Sequence, residues 1–155
     1  MRSVQSWLDE YGESHRTRAN KSIHWVCVPS IMLSIIGLIW LIPVPRGWGE
    51  HSAFFNWGVL FVILVLIYYY LLTWRLALGM TLVTAALVFI VYGVSLLTAC
   101  SWLVWLIVFV IAWIGQFIGH KIEGKKPSFF KDLLFLLIGP LWLLAFCYRR
   151  FNLAY

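Results

Sequence analysis

Charged side chains are scarce in this chain of 155 residues, and those present avoid its long apolar stretches. Asp, Glu, Lys and Arg make up 12% of the residues, against 63% hydrophobic residues, and the mean hydropathy is +0.89. A chain this short cannot enclose so much apolar surface in a soluble core, so the composition predicts a membrane protein. Proton-coupled transporters usually carry an ionisable residue within a span, and the lack of one here argues against that class.

Cysteine and histidine are also scarce. The three cysteines lie in separate apolar segments without paired spacing, which argues against a disulfide framework and against a thiolate metal site. Four histidines are too few for the di-iron architecture of membrane hydroxylases and desaturases. The chain also has no nucleotide-binding or flavin-binding motif.

Apolar runs of about twenty residues, the length that crosses a bilayer core, occupy most of the chain. We predict an all-α polytopic membrane protein that forms a single membrane domain over residues 1–155. A polar segment, 1–24, precedes the spans, and a polar turn with a fifth apolar segment, 120–155, follows them. The four predicted transmembrane helices are Trp25–Pro43, Ala53–Trp74, Leu76–Thr98 and Ser101–Gly119.

The fifth apolar segment, Phe129–Cys147, is interrupted at its centre by Gly139 and Pro140. Proline lacks a backbone donor and clashes with the preceding turn, so the helix is expected to kink or break there. Arg149 and Arg150 follow, and the positive-inside rule favours keeping them in the cytoplasm. We therefore expect a broken, re-entrant hairpin that returns to the cytoplasmic face. A kinked fifth span is the alternative.

Basic residues predict the orientation of the spans. The loops predicted on one side of the membrane contain only Arg46, and the other basic residues lie on the side of the N-terminus, which is therefore predicted to be cytoplasmic. The membrane is expected to be a bacterial inner membrane, or endoplasmic reticulum if the source is eukaryotic. These charges flank spans and attract anionic membrane lipid, and no soluble domain presents them to nucleic acid, so no nucleic-acid partner is expected. The residues on the basic side are Arg2, Arg16, Arg18, Lys21, Arg75, Lys121, Lys125, Lys126 and Lys131.

Three of the four histidines are predicted to meet at this cytoplasmic surface. His15 and His24 come before and at the start of the first span, His120 ends the fourth, and His51 lies in the opposite loop. Imidazole is the commonest metal-binding side chain, so the first three are candidate ligands of one metal. Nine residues turn a helix by about half a circle, so the chain must break between His15 and His24 for both to face one site.

Two amides share helix faces with these imidazoles. Asn20 lies four residues before His24, and Gln116 lies four residues before His120. We expect these amides to orient the imidazoles or to bind the metal directly. The alternative is that the histidines are ordinary polar anchors at the membrane interface.

Two motifs near the ends of the chain contain all of these candidates. The first is Tyr11-x-x-x-His15-x-x-x-x-Asn20-x-x-x-His24, followed by Val28-Pro29. The second is Trp113-x-x-Gln116-Phe117-x-Gly119-His120, followed by Glu123 and Lys125-Lys126-Pro127. Together they resemble the signatures of the small membrane 2-hydroxy fatty acid dioxygenases of fatty-acid α-oxidation. Relative to that pattern, Glu123 lies one position early, and Phe146 stands where an acidic residue is usual.

The resemblance implies an Fe(II)-dependent enzyme that converts a 2-hydroxy fatty acid and O₂ into the acid one carbon shorter. The overall reaction, R-CH(OH)-COOH + O₂ → R-COOH + CO₂ + H₂O, uses the four electrons that O₂ accepts and needs no external reductant. The acyl tail is expected to lie among the spans, where burial of methylene groups favours binding. The resemblance implies the metal ligands His15, His24 and His120, and the catalytic residues Asn20, Gln116 and Glu123.

Two other classes remain open at this point. One is a non-catalytic membrane protein whose histidines bind a structural metal or lipid. The other is a small b-type haem protein, which needs two histidines that face each other across a helix bundle. A structural metal site is coordinatively closed, whereas a catalytic site keeps positions open for substrate.

Overall fold

The computed structural model describes residues 2–130 and 132–155, apart from the side chains of residues 49 and 50. All regular elements in these residues are helical, which confirms the predicted all-α class. Lys131, one of the basic residues used to orient the spans, lies outside the described residues. The α-helices are α1 (Val4–Gly12), α2 (Arg18–Trp40), α3 (Trp48–His51), α4 (Trp57–Leu72), α5 (Trp74–Leu97), α6 (Ser101–Glu123) and α7 (Phe135–Arg150), with a 3₁₀ turn at Ser128–Phe130.

Three of the four predicted spans are helices long and apolar enough to cross a membrane. These are α2 with 23 residues, α5 with 24 and α6 with 23. The predicted span Ala53–Trp74 is shorter than expected, because α4 has 16 residues, which reach about 24 Å at 1.5 Å per residue against a hydrocarbon core of about 30 Å. The Asn56 side chain caps α4 by accepting the Val59 N–H at 3.0 Å, which fixes its start. Four full-length spans are therefore not confirmed.

The chain breaks between α1 and α2, as the histidine spacing requires. The Thr17 side chain caps α2 by accepting the Asn20 N–H at 3.4 Å. His15 therefore lies in the connecting loop, outside both helices, while His24 lies in the second turn of α2. Because this loop separates His15 from α2, the helical periodicity of α2 does not set the direction of the His15 imidazole relative to that of His24.

The break expected at Pro140 within Phe129–Cys147 is absent, and whether this segment re-enters the membrane stays a prediction. The α7 helix runs through Pro140 without a break, and its 16 residues are also too few for a full span. Pro140 cannot donate to the Leu136 carbonyl. The Tyr69 hydroxyl donates instead to the adjacent Leu137 carbonyl at 2.7 Å, which supplies a donor at the weakened turn. The helix is buried around Pro140 and packs against α1, α2 and α5, so the surroundings hold it together.

Close packing of α2 against α6 determines where the histidines meet. A side-chain carbon at Gly115 of α6 would overlap the Cys27 sulfur of α2, and one at Gly119 would overlap the Asn20 amide. Small residues at such positions let two helix backbones approach each other. The start of α2 and the end of α6 are therefore held side by side.

Candidate metal centre

The three histidines predicted as ligands lie together at one end of the helix bundle. Their ring centroids are 4.3 Å apart for His15 and His24, and 4.9 Å apart for each pair with His120. One nitrogen from each ring lies within 4.8 Å of the other two. All three side chains are buried, with exposed fractions of 1%, 1% and 5%. His51 lies in α3 and is exposed, and it does not join this cluster.

Backbone carbonyls fix the orientation of two of the rings. His15 Nδ1 lies 2.6 Å from the Tyr11 carbonyl, and His24 Nδ1 lies 2.9 Å from the Asn20 carbonyl. A carbonyl only accepts, so each Nδ1 carries the hydrogen and each Nε2 keeps its lone pair. These two Nε2 atoms, and His120 Nδ1, are buried and have no hydrogen-bond partner among the described residues. Such unpaired nitrogens are costly in a folded protein, and together they fit a bound metal ion.

The environment of His15 keeps its imidazole neutral. Burial, reinforced by the neighbouring His24, lowers the pKa of His15 to about 3. The Tyr11 ring stacks on it at a centroid distance of 4.1 Å, and Trp142 lies 5.4 Å away. Only the neutral imidazole binds a metal, so His15 is in its binding form at physiological pH.

Glu123 supports the loop that carries His15. Its carboxylate accepts hydrogen bonds from the backbone N–H groups of Arg16, at 2.8 Å, and Thr17, at 2.9 Å. The Thr17 hydroxyl donates to it at 2.6 Å, and the Asn20 side-chain amide donates at 3.3 Å. Glu123 therefore ties the end of α6 to the residues between His15 and α2. Its catalytic role stays a prediction, and its contacts are those of a residue that holds the loop in position.

Asn20 and Gln116 occupy different places at the site. The Asn20 amide nitrogen also donates to the Ser14 carbonyl at 2.9 Å, while its Oδ1 is buried without a partner among the described residues and lies against Gly119. Gln116 is buried one turn before His120 and faces a cavity. Asn20 thus contributes to holding the loop, and Gln116 adjoins the space beside the imidazoles. Both roles stay predictions.

A cavity of about 310 Å³ extends from His120 into the helix bundle. Tyr11, Gln116 and His120 line its polar end, and side chains from α2, α4, α6 and α7 form an almost entirely apolar wall. Its lining on α2 extends from Val28 to Ile36, eight residues apart, which corresponds to a rise of about 12 Å along the helix. The shape of the cavity matches a ligand with a polar head and a long apolar tail.

Sequence reasoning did not assign a role to Tyr11 or identify the residues of the cavity wall. Tyr11 did show one signal, since it lies four residues before His15 within the first motif. The wall residues showed none, because nearly every position of these spans is apolar, whichever way it faces.

Comparison with known proteins relates the chain to a family. No curated protein and no solved structure matches it. A family described as 2-hydroxy-palmitic acid dioxygenase Mpo1-like matches residues 1–151. The match includes both motifs and all of the helices, and its description names a dioxygenase, so it supports an enzymatic role. The chain therefore belongs to the Mpo1-like family, described as 2-hydroxy-palmitic acid dioxygenases.

Proposed function

We propose that this protein is an Fe(II)-dependent dioxygenase that converts 2-hydroxy fatty acids into acids one carbon shorter. The observation that carries the proposal is a cluster of three unpaired, buried imidazole nitrogens, one of whose rings, that of His120, lines an apolar cavity. His15, His24 and His120 would hold the metal. Family membership supports the reaction class.

Iron held by three imidazoles would supply a redox-active Lewis acid with positions left for the substrate and O₂. The chain itself holds the ligands, excludes water and positions the acyl chain. The carbonyls of Tyr11 and Asn20 orient two imidazoles, and Glu123 fixes the loop between them. The reaction balances as R-CH(OH)-COOH + O₂ → R-COOH + CO₂ + H₂O, which agrees with a chain that has no nucleotide or flavin motif.

The apolar cavity favours a long acyl chain. Each methylene group that leaves water contributes about 0.8 kcal/mol, so a fatty acid gains affinity through its tail. The exposed side chains of Arg18, Lys121 and Lys125 lie on the elements that form the site and would attract the carboxylate from the membrane surface. The substrate class proposed is therefore a membrane-dissolved 2-hydroxy fatty acid.

We further propose that the site faces the cytoplasm, from a bacterial inner membrane or from endoplasmic reticulum. His24 near the start of α2 and His120 near the end of α6 lie at the same end of the bundle, as four alternating helices would place them. Arg18, Lys21, Arg75 and Lys121 lie at helix ends on this side, which agrees with the positive-inside rule.

The geometry favours a single metal ion over haem. In a b-type haem protein two imidazoles bind iron from opposite faces of a flat macrocycle. Here three rings with centroids 4.3 to 4.9 Å apart leave no room for a macrocycle between any two of them. The cavity that reaches His120 favours a catalytic site over a closed structural one.

The proposal is tested with protein purified without oxygen and loaded with Fe(II). It is expected to convert 2-hydroxyhexadecanoic acid into pentadecanoic acid with consumption of one O₂ and no NAD(P)H, measured by an oxygen electrode and mass spectrometry. Replacement of His15, His24 or His120 by alanine is expected to abolish metal retention, and replacement of His51 to leave it unchanged. Turnover of unsubstituted hexadecanoic acid, a need for reductant in every cycle, or equal metal content in all four variants would contradict the proposal.

A further inference from the structure

Tyr11 is a buried phenol whose hydroxyl has no hydrogen bond among the described residues. The side chain is 7% exposed and lines the cavity beside the imidazoles. Its ring lies nearly parallel to that of His15, at an angle of 11°. A tyrosine hydroxyl is a hydrogen-bond donor, and this one belongs to a side chain that lines the cavity, so a ligand in the cavity can accept its hydrogen.

Neighbouring side chains fix the position of this hydroxyl. The Tyr11 ring contacts Trp142 at a centroid distance of 5.6 Å and Phe135 at 6.2 Å, in addition to its stack on His15. A side-chain carbon at Gly139 would lie 2.9 Å from the hydroxyl oxygen, so the phenol rests against a glycine that leaves space for it. The hydroxyl is therefore held in place by packing and not by a hydrogen bond.

The second buried tyrosine of the cavity differs from Tyr11, because its hydroxyl makes a hydrogen bond within the protein. Tyr69 also lines the cavity, but its hydroxyl donates to the Leu137 carbonyl at 2.7 Å. That phenol is used by the fold, because it supports the turn that Pro140 weakens. The hydroxyl of Tyr11 is not used in this way and remains available to a ligand.

Neutral donors line the polar end of the cavity. Among the described residues its wall contains no lysine or arginine. Trp113 also lines it, and the indole Nε1 of Trp113 is buried without a hydrogen-bond partner among the same residues. A carboxylate that enters the cavity therefore leaves the exposed cations behind and needs hydrogen bonds from neutral groups, which are strong when the acceptor is charged.

We propose that Tyr11 binds the substrate, its hydroxyl donating a hydrogen bond to the carboxylate of the 2-hydroxy acid. This inference rests on the proposed function. It adds to that function a residue that selects substrates with a carboxylate. Tyr11 would then contact both a metal ligand and the substrate. Its backbone carbonyl orients His15, and its side chain binds the carboxylate of the 2-hydroxy acid. The substrate head and a metal ligand would be positioned by one residue.

The test compares Tyr11→Phe with the unmodified protein, because this change keeps the ring and removes only the hydroxyl. Binding of 2-hydroxyhexadecanoic acid and of its methyl ester is measured without oxygen, on Fe(II)-loaded protein in lipid nanodiscs. We expect unchanged metal content, a loss of acid affinity of about 10- to 100-fold, and a smaller loss for the uncharged ester. Tyr70→Phe is the matched control, since Tyr70 is 43% exposed and its hydroxyl bonds to Thr81 away from the cavity.

The outcomes separate this inference from the proposed function. Equal acid affinity in Tyr11→Phe and the unmodified protein would overturn the inference and leave the dioxygenase proposal standing. Loss of metal from Tyr11→Phe would also overturn it, by showing that the hydroxyl acts through His15. If the unmodified protein binds the acid but consumes no O₂, the dioxygenase proposal fails, and the affinity ratio still decides the role of Tyr11. Failure of the unmodified protein to bind the acid would overturn both.

Discussion

Removal of the Glu123 carboxylate is expected to weaken metal binding without touching any of the three imidazoles. Glu123 accepts the backbone N–H groups of Arg16 and Thr17 and the Thr17 hydroxyl, at 2.6 to 2.9 Å. At about 1 kcal/mol for each hydrogen bond at a half-exposed site, Glu123→Ala loses about 3 kcal/mol that holds the loop. That loop positions His15. Metal binding must then supply part of the free energy that orders the loop, so the metal affinity falls.

The expected loss of metal affinity depends on how much of the lost free energy metal binding must supply in order to fix the loop. If the loop is disordered without metal and ordered with it, the whole of about 3 kcal/mol appears as a metal affinity about 100-fold weaker. If the loop stays partly ordered, the loss is about tenfold. Both values lie in the range seen when partners of metal ligands are removed from other proteins. Glu123→Gln keeps one good acceptor oxygen and is expected to fall between Glu123→Ala and the unmodified protein.

The assay is a chelator competition titration of Fe(II), or of Co(II) as a stable substitute, on protein in detergent. Glu13→Gln is the matched control, because Glu13 is exposed in the same loop region and its carboxylate makes no hydrogen bond to the His15 loop among the described residues. Equal metal affinity in Glu123→Ala and Glu13→Gln would refute the reasoning. Loss of turnover with unchanged metal affinity would instead support the catalytic role predicted for Glu123.

Two further predictions concern the packing that positions the site. Tyr69→Phe removes the hydroxyl that donates to the Leu137 carbonyl next to a proline, so we expect it to destabilise the protein by about 0.5–1.5 kcal/mol, seen as a lower Tm in detergent; an unchanged Tm would contradict this role. Gly119→Ala places a carbon against the Asn20 amide, and we expect a loss of about 1–3 kcal/mol with weaker metal binding. Gly93→Ala is its control, because nothing lies within 4 Å of a side-chain carbon there, and equal Tm values for the two variants would refute the α2–α6 contact as the cause.

The sequence was sufficient for the helical class and for the meeting of the histidines. Spans of about twenty apolar residues leave only helices as elements that satisfy every backbone group in a bilayer. Two histidines separated by an even number of alternating spans must then lie on the same side, which is how His24 and His120 were paired. The loop that brings in His15 was expected from the phase of a helix, because nine residues turn it half a circle.

The lengths and ends of some helices were not predictable from hydropathy. Hydropathy marked Ala53–Trp74 as one span, but the Asn56 cap shortens α4, and a cap is a hydrogen bond of about 1 kcal/mol within an otherwise uniform apolar run. The break expected at Pro140 is absent, and α7 is buried there against α1, α2 and α5, with the hydroxyl of Tyr69, 71 positions earlier in the chain, donating to the Leu137 carbonyl nearby. A proline breaks a helix only where its surroundings do not compensate, and those surroundings are tertiary.

The supporting residues of the site were decided by the tertiary structure alone. The Glu123 carboxylate accepts a hydrogen bond from the backbone of Arg16, 107 positions away, and no local sequence pattern at either residue predicts that contact. The cavity likewise arises from gaps between helices whose faces are all apolar, so no periodicity separates its wall from the lipid-facing surface. Composition and spacing determine which side chains reach one end of the bundle, whereas packing between distant segments decides which hydrogen bonds are made there and which atoms, such as the Tyr11 hydroxyl, are left for a ligand.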